Sequence, residues 1–306
     1  MGTSPHKSDF VNINGIRLHY LDWEGEGETL LFLPGLGNTA YVFDSLARCF
    51  VHKFHVLALT RRGHGDSDYP EDGYDLETLT EDVKKFLDTL KIEKAIFAGS
   101  SMAHVEICHF AALYPERVLK VIYFDAAYDR SQFRRFEELY PLKGLKPPGS
   151  EDDYYSIEAY AAHINKTLPE MAEIWGDLYA EELRHEVKIA PEGKIVDRMS
   201  EELTQKFISI SRNYPPEDSK TKAPVLSFYA IWDRFDFFPD YLTDEQKEKL
   251  FKYRKEIRYP VQRELIEKFR QDVPHAKVVE IPQGHHWCFI KHEELVYKEI
   301  WKFLLA

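Results

Sequence analysis

The stretch Ala98–Glu106, AGSSMAHVE, sets two serines between a glycine and an alanine, directly after an apolar run. A serine that attacks a carbonyl must stand exposed and close to unpaired hydrogen-bond donors. A sharp strand–turn–helix supplies both, because the helix N-terminus points its free N–H groups at the reacting oxygen. Such a turn is cramped, so the residues two before and two after the nucleophile must be small. Around Ser101 these are Gly99 and Ala103. Around Ser100 they would be Ala98 and Met102, and Met102 is too large. The pattern therefore nominates Ser101 as a nucleophile, against the plainer reading of a polar join between strand and helix. A hydroxyl is a weak nucleophile and needs a base, which in turn needs an orienting acid.

Metal chemistry has less to stand on. His104 and Cys108 are four apart and share a helix face, which is half a metal site with no third ligand evident in the sequence. His285 and His286 are adjacent, and neighbours rarely share one face. No metal and no cofactor are expected.

The elements that would position these residues follow from hydrophobic periodicity. Asn14-Gly15 lies between alternating segments over 10–20, a hairpin signal. Short apolar runs at 29–33, 54–60, 95–98, 118–124, 224–231 and 276–281 read as strands. Helical spacing appears at 41–50, 76–90, 105–113, 243–256, 260–272 and 293–304. Strands alternating with helices imply parallel crossovers and a sheet covered on both faces. Between 127 and 222 the pattern changes to helical stretches rich in Tyr, Trp and acids, with no convincing buried strand. The reading is an α/β core, 1–126 and 223–306, interrupted by a helical insertion at 127–222.

Composition narrows the class. The 306 residues carry 40 Lys and Arg against 52 Asp and Glu, a net charge of −12 that speaks against general nucleic-acid binding. Three separated cysteines, Cys49, Cys108 and Cys288, form neither a disulfide framework nor a zinc pattern and read as reduced thiols. No apolar run approaches a membrane span, and the first ten residues lack an apolar signal core. The expectation is a cytoplasmic protein, with an exported mature chain left open, and no membrane partner.

These motifs resemble the α/β-hydrolase superfamily, whose nucleophile motif is Gly-x-Ser-x-Gly, with Ala103 here as the last small residue. The loop LPGLGNT, 33–39, is similar to the family's oxyanion loop, and RRGHGDS, 61–67, to a structural segment of the family. The resemblance implies that the backbone N–H groups of Leu36 and Met102 form the oxyanion hole. It places the base on His286, counted from Pro282, with His285 as runner-up. The acid falls on Asp233, counted from Pro224; Asp236 and Asp125 are the alternatives, the latter because a minority of relatives place the acid after the preceding core strand. Serine at the turn argues against the epoxide hydrolases and haloalkane dehalogenases of the superfamily, which place aspartate there. The insertion falls where the superfamily often carries a helical lid.

Candidate pocket walls are Trp232 and Trp287, beside the proposed acid and base, with Trp175, Tyr154, Tyr155, Tyr160 and Tyr179 from the insertion. His104, one residue after Ala103, is a candidate ligand contact. Aromatic walls suit an apolar or aromatic ester-type substrate, and the acidic balance suits neutral or cationic molecules over polyanions. The resemblance thus implies a serine hydrolase cleaving carboxylic esters or related acyl bonds. Carbon–carbon bond hydrolysis or perhydrolysis by the same three residues, a site altered around His104, and a non-catalytic binder on a hydrolase scaffold are the alternatives.

Overall fold

A computed structural model describes residues 6–150, 152–176 and 179–306. Ten strands occur in chain order: β1 (Lys7–Ile13), β2 (Ile16–Asp22), β3 (Thr29–Leu33), β4 (His55–Leu59), β5 (Ala95–Ser100), β6 (Val118–Phe124), β7 (Val187–Ile189), β8 (Ile195–Asp197), β9 (Val225–Ala230) and β10 (Lys277–Ile281). Eight of them form one sheet in the order β1-β2-β4-β3-β5-β6-β9-β10. The hairpin β1–β2 turns at Asn14 (φ 52°) and Gly15 (φ 84°), as the Asn-Gly pair predicts. β2 meets β4 antiparallel, and from β4 to β10 every pairing is parallel.

The central strands are buried on both faces, so each alternates between two cores. Leu31, Phe97, Val121 and Tyr229 pack on one side with the helices Leu76–Thr89, Ala103–Leu113 and Tyr259–Asp272. Leu30, Phe32, Ile96, Ile122 and Phe228 pack on the other with the C-terminal helix Glu293–Leu305. This burial explains why β3, β5 and β9 read as continuous apolar runs rather than alternating ones.

Between β6 and β9 the chain leaves the sheet. It forms the helices Ile157–Thr167, Pro169–Ile174, Tyr179–Glu186 and Glu201–Asn213. It also forms a two-stranded antiparallel ribbon, β7–β8, which the sequence reading missed. Three-residue strands with exposed or half-buried positions leave no period to detect. A second difference lies in the 243–272 region. The helices Asp244–Tyr253 and Tyr259–Asp272 are joined without a break by a π-turn, Arg254–Arg258, closed by the Tyr259 N–H on the Arg254 carbonyl. Pro260 has no N–H to give to the preceding turn, and the widened turn absorbs that missing donor. Cys108 and Cys288 are buried free thiols, and Cys49 is partly exposed. Among the described residues no helix is long and apolar enough to cross a membrane.

Candidate active site

Ser101 sits where β5 meets the helix Ala103–Leu113, with φ of 51°. A left-handed conformation at a non-glycine residue is strained and turns the side chain out of the sheet crest. The crowding inferred from the sequence is present. A Cβ on Gly99 would lie 2.4 Å from Ile107 Cδ1 and 2.9 Å from Ala103 Cβ. Across the turn runs the loop after β3, where a Cβ on Gly35 would stand 3.0 Å from Ser101 Cβ. Buried Arg61 fixes this loop by donating to the carbonyls of Pro34 (2.9 Å) and Gly35 (3.3 Å), while its Nε is paired with Glu106 at 2.7 Å. Its neighbour Arg62 forks onto buried Asp82. The segment 61–67 is therefore scaffold. Among the described residues the N–H groups of Leu36 and Met102 donate to no protein acceptor.

Asp233, expected as the orienting acid, is not the carboxylate that contacts His286. Asp233 Oδ1 accepts from the Gln283 backbone N–H at 2.7 Å and so serves the loop before the histidines. The carboxylate against the imidazole is Asp125, whose Oδ2 lies 2.7 Å from His286 Nδ1. Asp125 follows β6 directly, has φ of 44° and is buried. Its Oδ1 accepts from the Tyr128 hydroxyl (2.7 Å) and the Ala230 backbone N–H (3.1 Å). Gln262, fully buried, extends this chain by donating to the Tyr128 hydroxyl at 2.7 Å. The parallel β6–β9 register sets the end of β6 beside the end of β9, so the choice between the two aspartates rests on loop geometry that motif counting does not see. Asp236 is exposed and makes no contact with His286.

His286 is delivered by the turn after β10, where Gly284 is pressed to the end of β9; a Cβ there would lie 2.7 Å from Ala230 Cα. His285, the runner-up base, also lines the cavity that His286 faces, but its Nε2 is held between Arg234 (2.8 Å) and Glu173 (2.9 Å), and burial lowers its pKa. Asp125, His286, Trp232 and Trp287 line one cavity of about 290 Å³, so both tryptophans expected there are present. Ser101 is not among the lining residues, but Arg130, which is, donates through Nη2 to Ser101 Oγ at 3.2 Å.

Other expectations fail. Trp175, Tyr154, Tyr155, Tyr160 and Tyr179 are not among the cavity's lining residues. Tyr160, Trp175 and Tyr179 pack with one another in a satellite core, and Tyr155 is exposed. His104 is fully buried, bonded through Nε2 to Asp218 (2.9 Å) and set edge-on to Tyr123; it is not among the residues lining the cavity of His286. Asp218 completes the His104–Cys108 pair as a third close polar group, which sequence spacing could not bring in from 110 residues away. Its carboxylate is taken up by the His104 bond. The cavity's arginines, Arg130, Arg234, Arg254 and Arg258, were not anticipated. Only the spacing of Arg254 and Arg258, four apart on one helical face, hinted at them.

A family model described as the alpha/beta hydrolase fold matches residues 28–166. The chain has the α/β-hydrolase fold. It is 31% identical over 161 residues, 52% of its length, to the 2-(acetamidomethylene)succinate hydrolase of Mesorhizobium japonicum. It is 39% identical over 104 residues to a putative non-heme haloperoxidase of Mycobacterium phage D29. These matches cover 56% and 37% of the two relatives, so the chain spans about half or less of the curated proteins it matches. The solved structure of E-2-(acetamidomethylene)succinate hydrolase superposes with a TM-score of 0.73 at 21% identity, covering 98% of this chain and 100% of that one. An epoxide hydrolase from Bacillus megaterium superposes at 0.67 and 20% identity, covering 97% and 100%. At these identities the superpositions establish the shared fold.

Proposed function

We propose that this chain hydrolyses carboxylic esters or related acyl bonds, with Ser101 as nucleophile, His286 as general base and Asp125, rather than Asp233, as the orienting acid. The observation that carries this is the 2.7 Å contact between buried Asp125 and His286 Nδ1, in a cavity whose Arg130 donates to Ser101 Oγ on the strained turn. Asp125 fixes the tautomer with the proton on Nδ1, which leaves Nε2 as the acceptor for the Ser101 hydroxyl proton. Ser101 Oγ then attacks the carbonyl carbon. The two free N–H groups of Leu36 and Met102 stabilise the oxyanion, and His286 passes the proton to the leaving group. Water, deprotonated by His286, releases the acyl group from Ser101.

Removing one oxyanion donor in such a site costs about 3 kcal/mol of transition-state stabilisation. No cofactor enters this scheme. The residues 127–222 are read as a cap over this cavity, because Glu170 and Ile174 from that segment line it. The relative from Mesorhizobium is named for hydrolysis of an acetamido compound, so amides stand beside esters as candidate bonds. The test is labelling with a fluorophosphonate probe followed by peptide mapping. Modification of Ser101, lost in Ser101→Ala together with turnover of a short-chain ester, supports the reading. An unlabelled Ser101, or a variant with undiminished turnover, refutes it.

A further inference from the structure

The cavity beside Ser101 carries more positive charge than its own structure uses. Four arginines line it against two carboxylates, Asp125 and Glu170. Asp125 is already engaged by His286, Tyr128 and the Ala230 N–H. Of the arginines, Arg234 is tied to Glu173 and His285. The other three have no carboxylate partner among the described residues.

Arg130 donates one Nη to Ser101 Oγ, and its Nε is buried without an acceptor. Arg254 donates to the carbonyls of Arg234 and Phe237. Arg258 lies over the Trp232 ring, 4.2 Å from its centroid, and its side chain makes no hydrogen bond among the described residues. Burial lowers the pKa of both Arg130 and Arg254, the direction expected of cations lacking a counter-ion. Buried or half-buried charges are ordinarily paired, because an unpaired one forfeits its solvation. The π-turn sets Arg254 and Arg258 toward the same space, and such turns recur at functional sites.

We infer that this cavity is a carboxylate-binding subsite, and that the acyl substrate carries an anionic group close to its scissile bond. The inference rests on the acyl-transfer reading for the word substrate, and on the arginines alone for the anion. A guanidinium presents parallel N–H groups that match a carboxylate in a forked pair, and Arg130 offers a free Nε beside the nucleophile. Because Arg130 also touches Ser101 Oγ, the anion sits within a few carbons of the attacked carbonyl. This reverses the preference for neutral or cationic substrates drawn from the net charge of −12.

Two measurements test it. The first compares kcat/KM for monoethyl succinate with that for ethyl pentanoate, read by proton release. The anionic ester is expected to lead by on the order of tenfold. The ratio should fall about tenfold in Arg258→Gln and recover in part in Arg258→Lys, which keeps the charge. The second titrates succinate into Ser101→Ala by calorimetry, with and without Arg258→Gln. Saturable binding weakened about tenfold by the arginine change supports the subsite. No binding, binding indifferent to Arg258, or a neutral ester preferred over the anionic one overturns it. Fluorophosphonate labelling separates the two readings. Labelled Ser101 without succinate binding sinks the anion site alone, and succinate binding without labelling sinks acyl transfer alone.

Discussion

At the scale of single residues, the site turns on which aspartate holds His286. Asp125 is buried and takes two further donors, so its charge is fixed in place before any substrate arrives. Asp233 spends its carboxylate on the Gln283 N–H. Replacing Asp125 by Asn keeps the shape but reverses the hydrogen bond, so that the imidazole turns its proton toward Ser101 and can no longer accept. The expected loss in kcat is about 10⁴-fold for Asp125→Asn. For Asp233→Asn it is at most about threefold, because a neutral amide oxygen still accepts from Gln283. Steady-state kinetics on both variants decide between the two acids, and a larger loss in Asp233→Asn than in Asp125→Asn would return the role to Asp233. Ser101 and His286 stand out as candidates in the sequence because their neighbours obey steric and motif rules. The carboxylate that contacts His286 does not, because two aspartates follow adjacent parallel strands and only the course of the loops brings one of them to the ring.

Among elements, the connection that matters runs from the inserted segment to the loop after β3. Asn38 Nδ2 donates to Glu186 Oε1 at 2.8 Å, and Asn38 Oδ1 accepts from Trp287 Nε1 at 3.1 Å. The end of the helix Tyr179–Glu186 is thereby joined to the loop after β3 and to the residue after His286. Burial raises the Glu186 pKa to about 7, with Asn38 opposing and Asp197 adding to the rise. A carboxyl raised in the folded state binds more protons folded than unfolded between its ordinary value of 4.5 and about 7. Its favourable contribution is therefore complete below 4.5 and is lost as pH climbs to about 7. Glu186→Gln keeps the acceptor for Asn38 and removes the titration. Its melting temperature relative to wild type should be higher at pH 8 than at pH 5, by roughly 2 °C or more. Thermal scans at the two pH values check this, and a difference independent of pH would mean that Glu186 does not titrate there.

Over the whole molecule, most of the architecture was readable because a doubly covered sheet writes itself as short apolar runs between amphipathic helices. All six strands expected from such runs belong to the main sheet, and the Asn-Gly hairpin closes it at one edge. The ribbon β7–β8 escaped because two short, poorly buried strands carry no periodic signal. The cationic cavity escaped for a different reason: its arginines come from separate loops and a π-turn, and the composition averages them into an acidic chain. That contrast has a kinetic consequence. A net charge of −12 repels an approaching anion over the Debye length, about 30 Å at 10 mM salt and about 8 Å at 150 mM. The arginines act at contact distance inside the cavity, where salt screens them far less. Raising ionic strength from 10 to 150 mM, roughly the range over which long-range steering disappears, therefore removes the repulsion and spares the recognition. For monoethyl succinate kcat/KM should rise about twofold over this range, while that for ethyl pentanoate stays flat. A fall for the anionic ester instead would show that the arginine field extends past the cavity mouth and outweighs the rest of the surface.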